Sequence, residues 1–189
     1  MILLYYISIG FFIAYITILL AKFGIPASIS ESSYLYGKNG NLIFFGCFLT
    51  FIFPMMIYWI QISEGMWYQF MAFLSCAALC FTAITGRYRG SDKTEWAVHT
   101  YGTIACAVFA QLWMWFTISS SWILSLLLLI SAFVAGMAIR GAKREIWEDV
   151  SGKTVYGTIK KRDNSIVFFV EMALFLMAYL AIFIYIKKL

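Results

Sequence analysis

Six long apolar stretches, almost free of charge, dominate this chain: Ile2 to Leu20, Leu42 to Ile60, Trp67 to Ile84, Val98 to Thr117, Trp122 to Ile139 and Ser165 to Ile186. Stretches of about 18 or more such residues are what a hydrocarbon layer roughly 30 Å thick requires of a spanning helix. They are continuous rather than alternating, and each is about twice the length of a barrel strand. A helix satisfies its own backbone hydrogen bonds inside lipid, so the runs predict helices rather than a barrel. Across all 189 residues, 63% are hydrophobic and 12% charged. Soluble domains are about 45–50% apolar and about 25% charged. The expected fold is all-α: a polytopic membrane protein whose six transmembrane helices form one bundle over residues 1–189.

The polar connections refine this expectation. Tight hairpins are expected where "QISEGM" joins the second and third runs and "ISSS" joins the fourth and fifth. The segment 140–164 is the one soluble-looking stretch. Its alternation about Ser151-Gly152 fits a short β-hairpin, and "KREIWED" fits equally an amphipathic extension of the fifth helix. The first run lacks a basic leader, so it reads as a retained helix rather than a signal peptide.

Lys and Arg concentrate in three connections, at positions that include Lys22, Lys38, Arg87, Arg89, Arg140 and Arg162, whereas Lys187 and Lys188 fall on the other side. Positive-inside bias therefore predicts cytoplasmic basic loops and both termini outside. A net charge of +5 placed at helix ends implies attraction to anionic headgroups, not nucleic-acid binding. Cys47, Cys76, Cys80 and Cys106 all fall inside apolar runs and read as small packing residues. Trp67, Trp96, Trp113, Trp115 and Trp122 lie near run ends and read as interfacial anchors. Gly102, Cys106 and Ala110 recur every four residues, a small-residue row that packs within the bundle or seams a homo-oligomer.

Ionisable groups at membrane depth are costly and point to function. Glu171 sits about two turns inside the sixth run, and His99 opens the fourth on the same side. Ser28, Ser30, Glu31, Arg87 and Arg89 belong to that face as well. One histidine is too few for a three-histidine zinc site, and no glycine-rich phosphate loop is present, so no metal or cofactor is expected. A Ser/His/Asp arrangement from "SISES", His99 and Asp92 is arithmetically available but lacks a nucleophile motif. No catalytic residue is assigned; an enzymatic reading would make the protein a lipid-directed hydrolase or transferase.

"PASISE" after the first run and "VHTYG" opening the fourth resemble the two signatures of the DRAM/Frag/Sfk group of six-span membrane proteins. The resemblance covers Ile2 to about Ile139. Ala27-Ser28 follows Pro26, Glu31 stands where Asp is commoner, and Thr103 stands where the family tends to have Ala. The resemblance implies lipid organisation, without an agreed catalytic mechanism. It carries over Pro26, Ile29, Ser30, Glu31, His99 and Gly102. It also implies a lumenal or extracellular first loop, opposite to the charge bias.

These readings converge on a protein that binds or organises membrane lipids through a polar pocket formed by Ser30, Glu31, His99, Glu171 and Arg87 at one membrane face. Two alternatives stand beside it. One is a small transporter or pore with Glu171 on its path; the other is a membrane anchor presenting the 140–164 loop to a partner.

Overall fold

The computed structural model describes residues 2–26, 28–85, 92–118 and 166–188, with Leu126, Leu129, Ile130, Phe133, Trp147–Glu148 and Thr154–Val155. Its long helices are α1 (Ile2–Phe23), α3 (Gly40–Ile62), α4 (Gln69–Ile84), α5 (Lys93–Thr117) and α6 (Ile166–Lys188). Between α1 and α3 lie the single turn α2 (Ser32–Leu35) and a 3₁₀ turn, Gly37–Asn39. The short strands β1 (Trp147–Glu148) and β2 (Thr154–Val155) pair antiparallel, Trp147 opposite Val155 and Glu148 opposite Thr154. The rest of 140–164, and all but four positions of the predicted fifth run, lie outside the described residues.

Three stretches are long and apolar enough to cross a membrane: Ile2–Phe23, Gly37–Ile62 and Val167–Lys187. The protein is thus helical and built to enter a bilayer. Six spans do not follow from these helices. The 16 residues of α4 rise only about 24 Å, short of the roughly 30 Å core. Although α5 has 25 residues, it opens on Lys93, Glu95 and the buried His99.

The exterior is apolar. Leu3, Phe11, Leu42, Phe73, Val108 and Leu180 are all exposed, on five different helices. A solvated monomer rarely exposes so contiguous an apolar surface, whereas lipid is the natural neighbour of one.

Inside, α6 is held against α1 and α3 by an aromatic cluster. Phe175 meets Phe12 at a ring separation of 5.0 Å, Phe51 at 5.8 Å and Phe48 at 6.2 Å. Tyr179 packs on Phe12 at 5.6 Å and shares a 2.8 Å hydrogen bond with the Ser8 hydroxyl. Ser8 also donates to the Phe51 carbonyl at 2.7 Å. That carbonyl lies three residues before Pro54, which cannot continue the backbone ladder of α3. The carbonyl that Pro54 leaves without its ladder donor is that of Thr50, four residues back; the Ser8 bond falls on the next carbonyl along and ties α1 to α3 there.

Trp113 is not an interfacial anchor. It is fully buried and stacks on Trp59 at 4.3 Å with ring planes 4° apart, while its indole N–H donates to Ser63 Oγ at 3.1 Å. Its run-end position is compatible with either role; α3 arriving at the same depth with Trp59 decides it. Trp67 and Trp115 are exposed, as interfacial anchors are.

The small-residue row of α5 packs inside the chain. A Cβ on Gly102 would lie 2.7 Å from Thr82 Oγ1 and 3.2 Å from the Ala78 carbonyl oxygen, both on α4. Since Ala78 is backbone there, the contact cannot relax by a rotamer change alone. Gly102→Ala is expected to lower stability by about 1–3 kcal/mol. Thermal unfolding in detergent checks this; an unchanged midpoint would mean that α4 and α5 are not packed this closely.

Candidate functional site

The stretch after α1 does not lie on the surface as an ordinary loop would. Gly24, at φ +73°, ends α1 in the left-handed conformation that glycine tolerates, and its N–H bonds the Leu20 carbonyl at 3.0 Å. The chain then folds back into the bundle. Pro26 is buried, as are Ser28, Ile29, Ser30, Ser32 and Ser33. Backbone buried away from water survives only if its polar groups are satisfied, and the serines contribute to that.

Successive i to i+3 bonds run through it: Glu31 N–H to the Ser28 carbonyl at 3.2 Å, Ser32 to Ile29 at 3.2 Å, and Ser33 to Ser30 at 3.1 Å. Ser28 Oγ accepts from the Glu31 N–H at 3.2 Å and lies 3.1 Å from Ser30 Oγ. Ser32 Oγ donates to the Ile29 carbonyl at 2.7 Å and is also bonded to Tyr15 OH of α1. The first N–H groups of such a helical turn have no partner within it. Glu171 supplies one from α6, as its Oε2 accepts the Ile29 N–H at 2.5 Å. The deep carboxylate of the last helix thus holds the folded-back segment in place.

His99, 7% exposed, faces α4. Its Nδ1 lies 3.1 Å from the Thr82 carbonyl oxygen, which can only accept, so Nδ1 carries the proton. The Thr103 hydroxyl donates back to the His99 carbonyl at 2.8 Å. The Ser/His/Asp arrangement is not assembled through this nitrogen. Asp92 instead caps α5, accepting the Glu95 N–H at 2.8 Å, an N-cap role that its position before an apolar run favours.

Ser30, His99 and Glu171 line one cavity of about 130 Å³ between the folded-back segment, α3, α4, α5 and α6. Each helix contributes residues at helical spacing, such as Phe44, Phe48, Phe51 and Met55 from α3. The void has a simple cause. Facing those aromatic side chains, α5 presents Thr103, Cys106, Ala107 and Ala110, too small to fill the space between helices.

Away from its polar end the cavity is apolar. Ser75, midway, donates to the Cys106 carbonyl at 3.0 Å. Gln69, outside the cavity wall, donates to the Ile60 carbonyl at 3.0 Å. Local bonds of this kind do not form a polar path through the bundle, and Ser131 lies outside the described residues.

Of the sequence-derived candidates, Ser30, Ile29, His99 and Glu171 share this cavity, while Glu31 is not among its lining residues. In a turn of about three residues, neighbours point about 120° apart, so a wall built from Ile29 and Ser30 turns Glu31 away. Glu31 is half-buried beside α2. Arg87 lies outside the described residues. Thr82, Thr103 and Trp59 also line the cavity and were not legible as site residues, since a threonine or tryptophan in an apolar run reads as packing. No family model, curated protein or solved structure matches this chain.

Removing the Glu171 carboxylate would leave the buried Ile29 N–H without that acceptor. Glu171→Ala is expected to cost about 1–3 kcal/mol, and Glu171→Gln, which keeps an acceptor oxygen, markedly less. Unfolding midpoints and hydrogen exchange at the Ile29 amide check this. Equal effects of the two variants would show that the Ile29 bond is not what Glu171 contributes.

Proposed function

We propose that this protein binds membrane lipid, holding a headgroup at Ser30, His99 and Glu171 and apolar tail in the cavity beyond them. The observation that carries this reading is the joining of those polar side chains to an otherwise apolar cavity. Ligand sites are mostly apolar concavities with a few convergent polar groups, and this cavity, smaller at about 130 Å³ than the usual few hundred, has that kind of lining. An aqueous pore would need polar lining through its depth, whereas phenylalanine and alanine line this cavity.

In this proposal the chain crosses the bilayer six times, as its apolar runs suggest, and the polar end faces the cytoplasm, as its basic loops suggest. The resemblance to the DRAM/Frag/Sfk group adds support for a role in lipid organisation. The binding reading needs no catalytic group.

Native mass spectrometry of protein extracted directly from membranes tests it. Retained lipid is expected on the native chain and less of it on Ser30→Ala and His99→Ala, with helix content unchanged. Glu31→Ala, outside the cavity wall, is expected to retain as much as the native chain. Absence of bound lipid on the folded native protein would remove the proposal.

A further inference from the structure

The cavity is not buried equally on all sides. Along α3, and around Ser75 and Cys76 of α4, its wall is closed: those two residues and Phe48, Phe51 and Met55 are all buried. On the other side the wall is thinner. Thr103, Ala107 and Ala110 of α5 and Leu174, Phe175 and Ala178 of α6 line the same cavity and are each only half-buried. The three on α6 share one helix face, opposite Leu176, Leu180 and Phe183, which are exposed on the outside. An inward face that stays partly exposed means that α6 stands off its neighbours there. The gap is bounded along α5, where His99 and Met114, at either end of the wall, are buried.

Side-chain size accounts for the gap. The rings of Phe175 and Tyr179 carry α6 against Phe12 of α1, and Phe175 also reaches Phe48 and Phe51 of α3. Toward α5 the wall offers alanines, Ala178 on one helix and Ala107 and Ala110 on the other, which lack the reach to close it. Among the described residues the cavity thus has one open side, a slot between α5 and α6. Leu174 to Ala178 lie about 10 to 17 Å along α6 from Val167, near the middle of a span suited to a hydrocarbon core roughly 30 Å thick. At that depth the medium outside the slot is lipid tail, not water.

The cavity itself holds little. An apolar void of about 150 Å³ takes one benzene, so one of about 130 Å³ takes a chain segment of about six carbons, not a whole tail.

We infer that the slot between α5 and α6 is a lateral portal for the tail of a bilayer phospholipid: the carbons next to the head lie in the cavity, and the rest of the tail passes out between the two helices into the bilayer. This rests on the lipid-binding reading and adds to it how so small a void serves a lipid with long tails. Ala107, Ala110 and Ala178 set the width of the portal, because a larger side chain at any of them fills it.

The full chain, reconstituted in phosphatidylcholine vesicles, tests this with traces of two photoreactive phosphatidylcholines. One carries a diazirine in the first few carbons after the ester, the other at the tail end. After irradiation, adducts are located to the residue by mass spectrometry. The near-ester probe is expected to label Phe48 and Phe51, which are buried behind the slot, and the tail-end probe to label outward residues such as Phe11 and Leu180 but not those two. Ala107→Phe is expected to lower adducts at Phe48 and Phe51 by on the order of tenfold, through overpacking of the slot, with labelling of Phe11 unchanged. Ala178→Phe narrows the slot from α6 and replaces it if that variant does not fold.

Tail-end labelling of Phe48 and Phe51 as strong as near-ester labelling would overturn the portal, because the tail would then lie lengthwise inside. Unchanged inner labelling in a folded Ala107→Phe or Ala178→Phe would overturn it too. Lipid retained in native mass spectrometry without adducts at Phe48 or Phe51 would remove the portal and leave lipid binding intact. A folded native chain with neither retained lipid nor inner adducts would remove both this inference and the reading beneath it.

Discussion

The bond from the Ile29 N–H to Glu171 ties the segment after α1 to α6, over most of the length of the described chain. A backbone that leaves its helix inside a bundle exposes N–H groups to a medium with no water to receive them. Serine side chains and i to i+3 bonds satisfy part of the folded-back segment from within. The Ile29 N–H, at its start, is answered from α6, over a separation of 142 residues. Much else depends on that closure. It places Ser30 in the cavity wall, turns Glu31 out of it, and brings the carboxyl group of α6 to the same end as His99.

The cavity itself arises from unequal side chains on facing helices. Aromatic residues of α3 and α6 crowd one wall, and alanine, cysteine and threonine of α5 hold back from the other. Close packing would normally make such a void costly, since lost contacts are not replaced. Its persistence along the bundle, with polar groups at one end and a braced tryptophan at the other, sets it apart from a packing defect in a random place. The same row of small residues has a second role, as Gly102 lets α5 approach α4 closely enough for His99 to reach the Thr82 carbonyl.

Much of the helical framework was legible in the sequence. The runs Ile2 to Leu20 and Leu42 to Ile60 each fall within a described helix, with ends extended by up to three residues, and the run Ser165 to Ile186 coincides with α6 from Ile166 onward. Apolar length is a one-dimensional property, so it can be read from a one-dimensional string. The depth of Glu171 and the position of His99 on the same side were legible for the same reason. Trp113 was not, because a run-end tryptophan is read as an anchor and only the neighbouring helix turns it into core. Nor was the exchange of Glu31 for Ser30 at the cavity wall, which depends on where each residue points around a tight turn.

What the sequence alone determined is therefore the solvent of this protein and the axis of its helices: apolar length dictates helices suited to lipid, and rare polar residues mark one end. The tertiary structure decided which of those polar residues meet, and that a buried serine turn, not an exposed loop, carries them. Hydrogen-bond satisfaction is the physical reason, because a buried N–H donates to whichever acceptor the packing of distant helices brings within reach, and no local pattern encodes that choice.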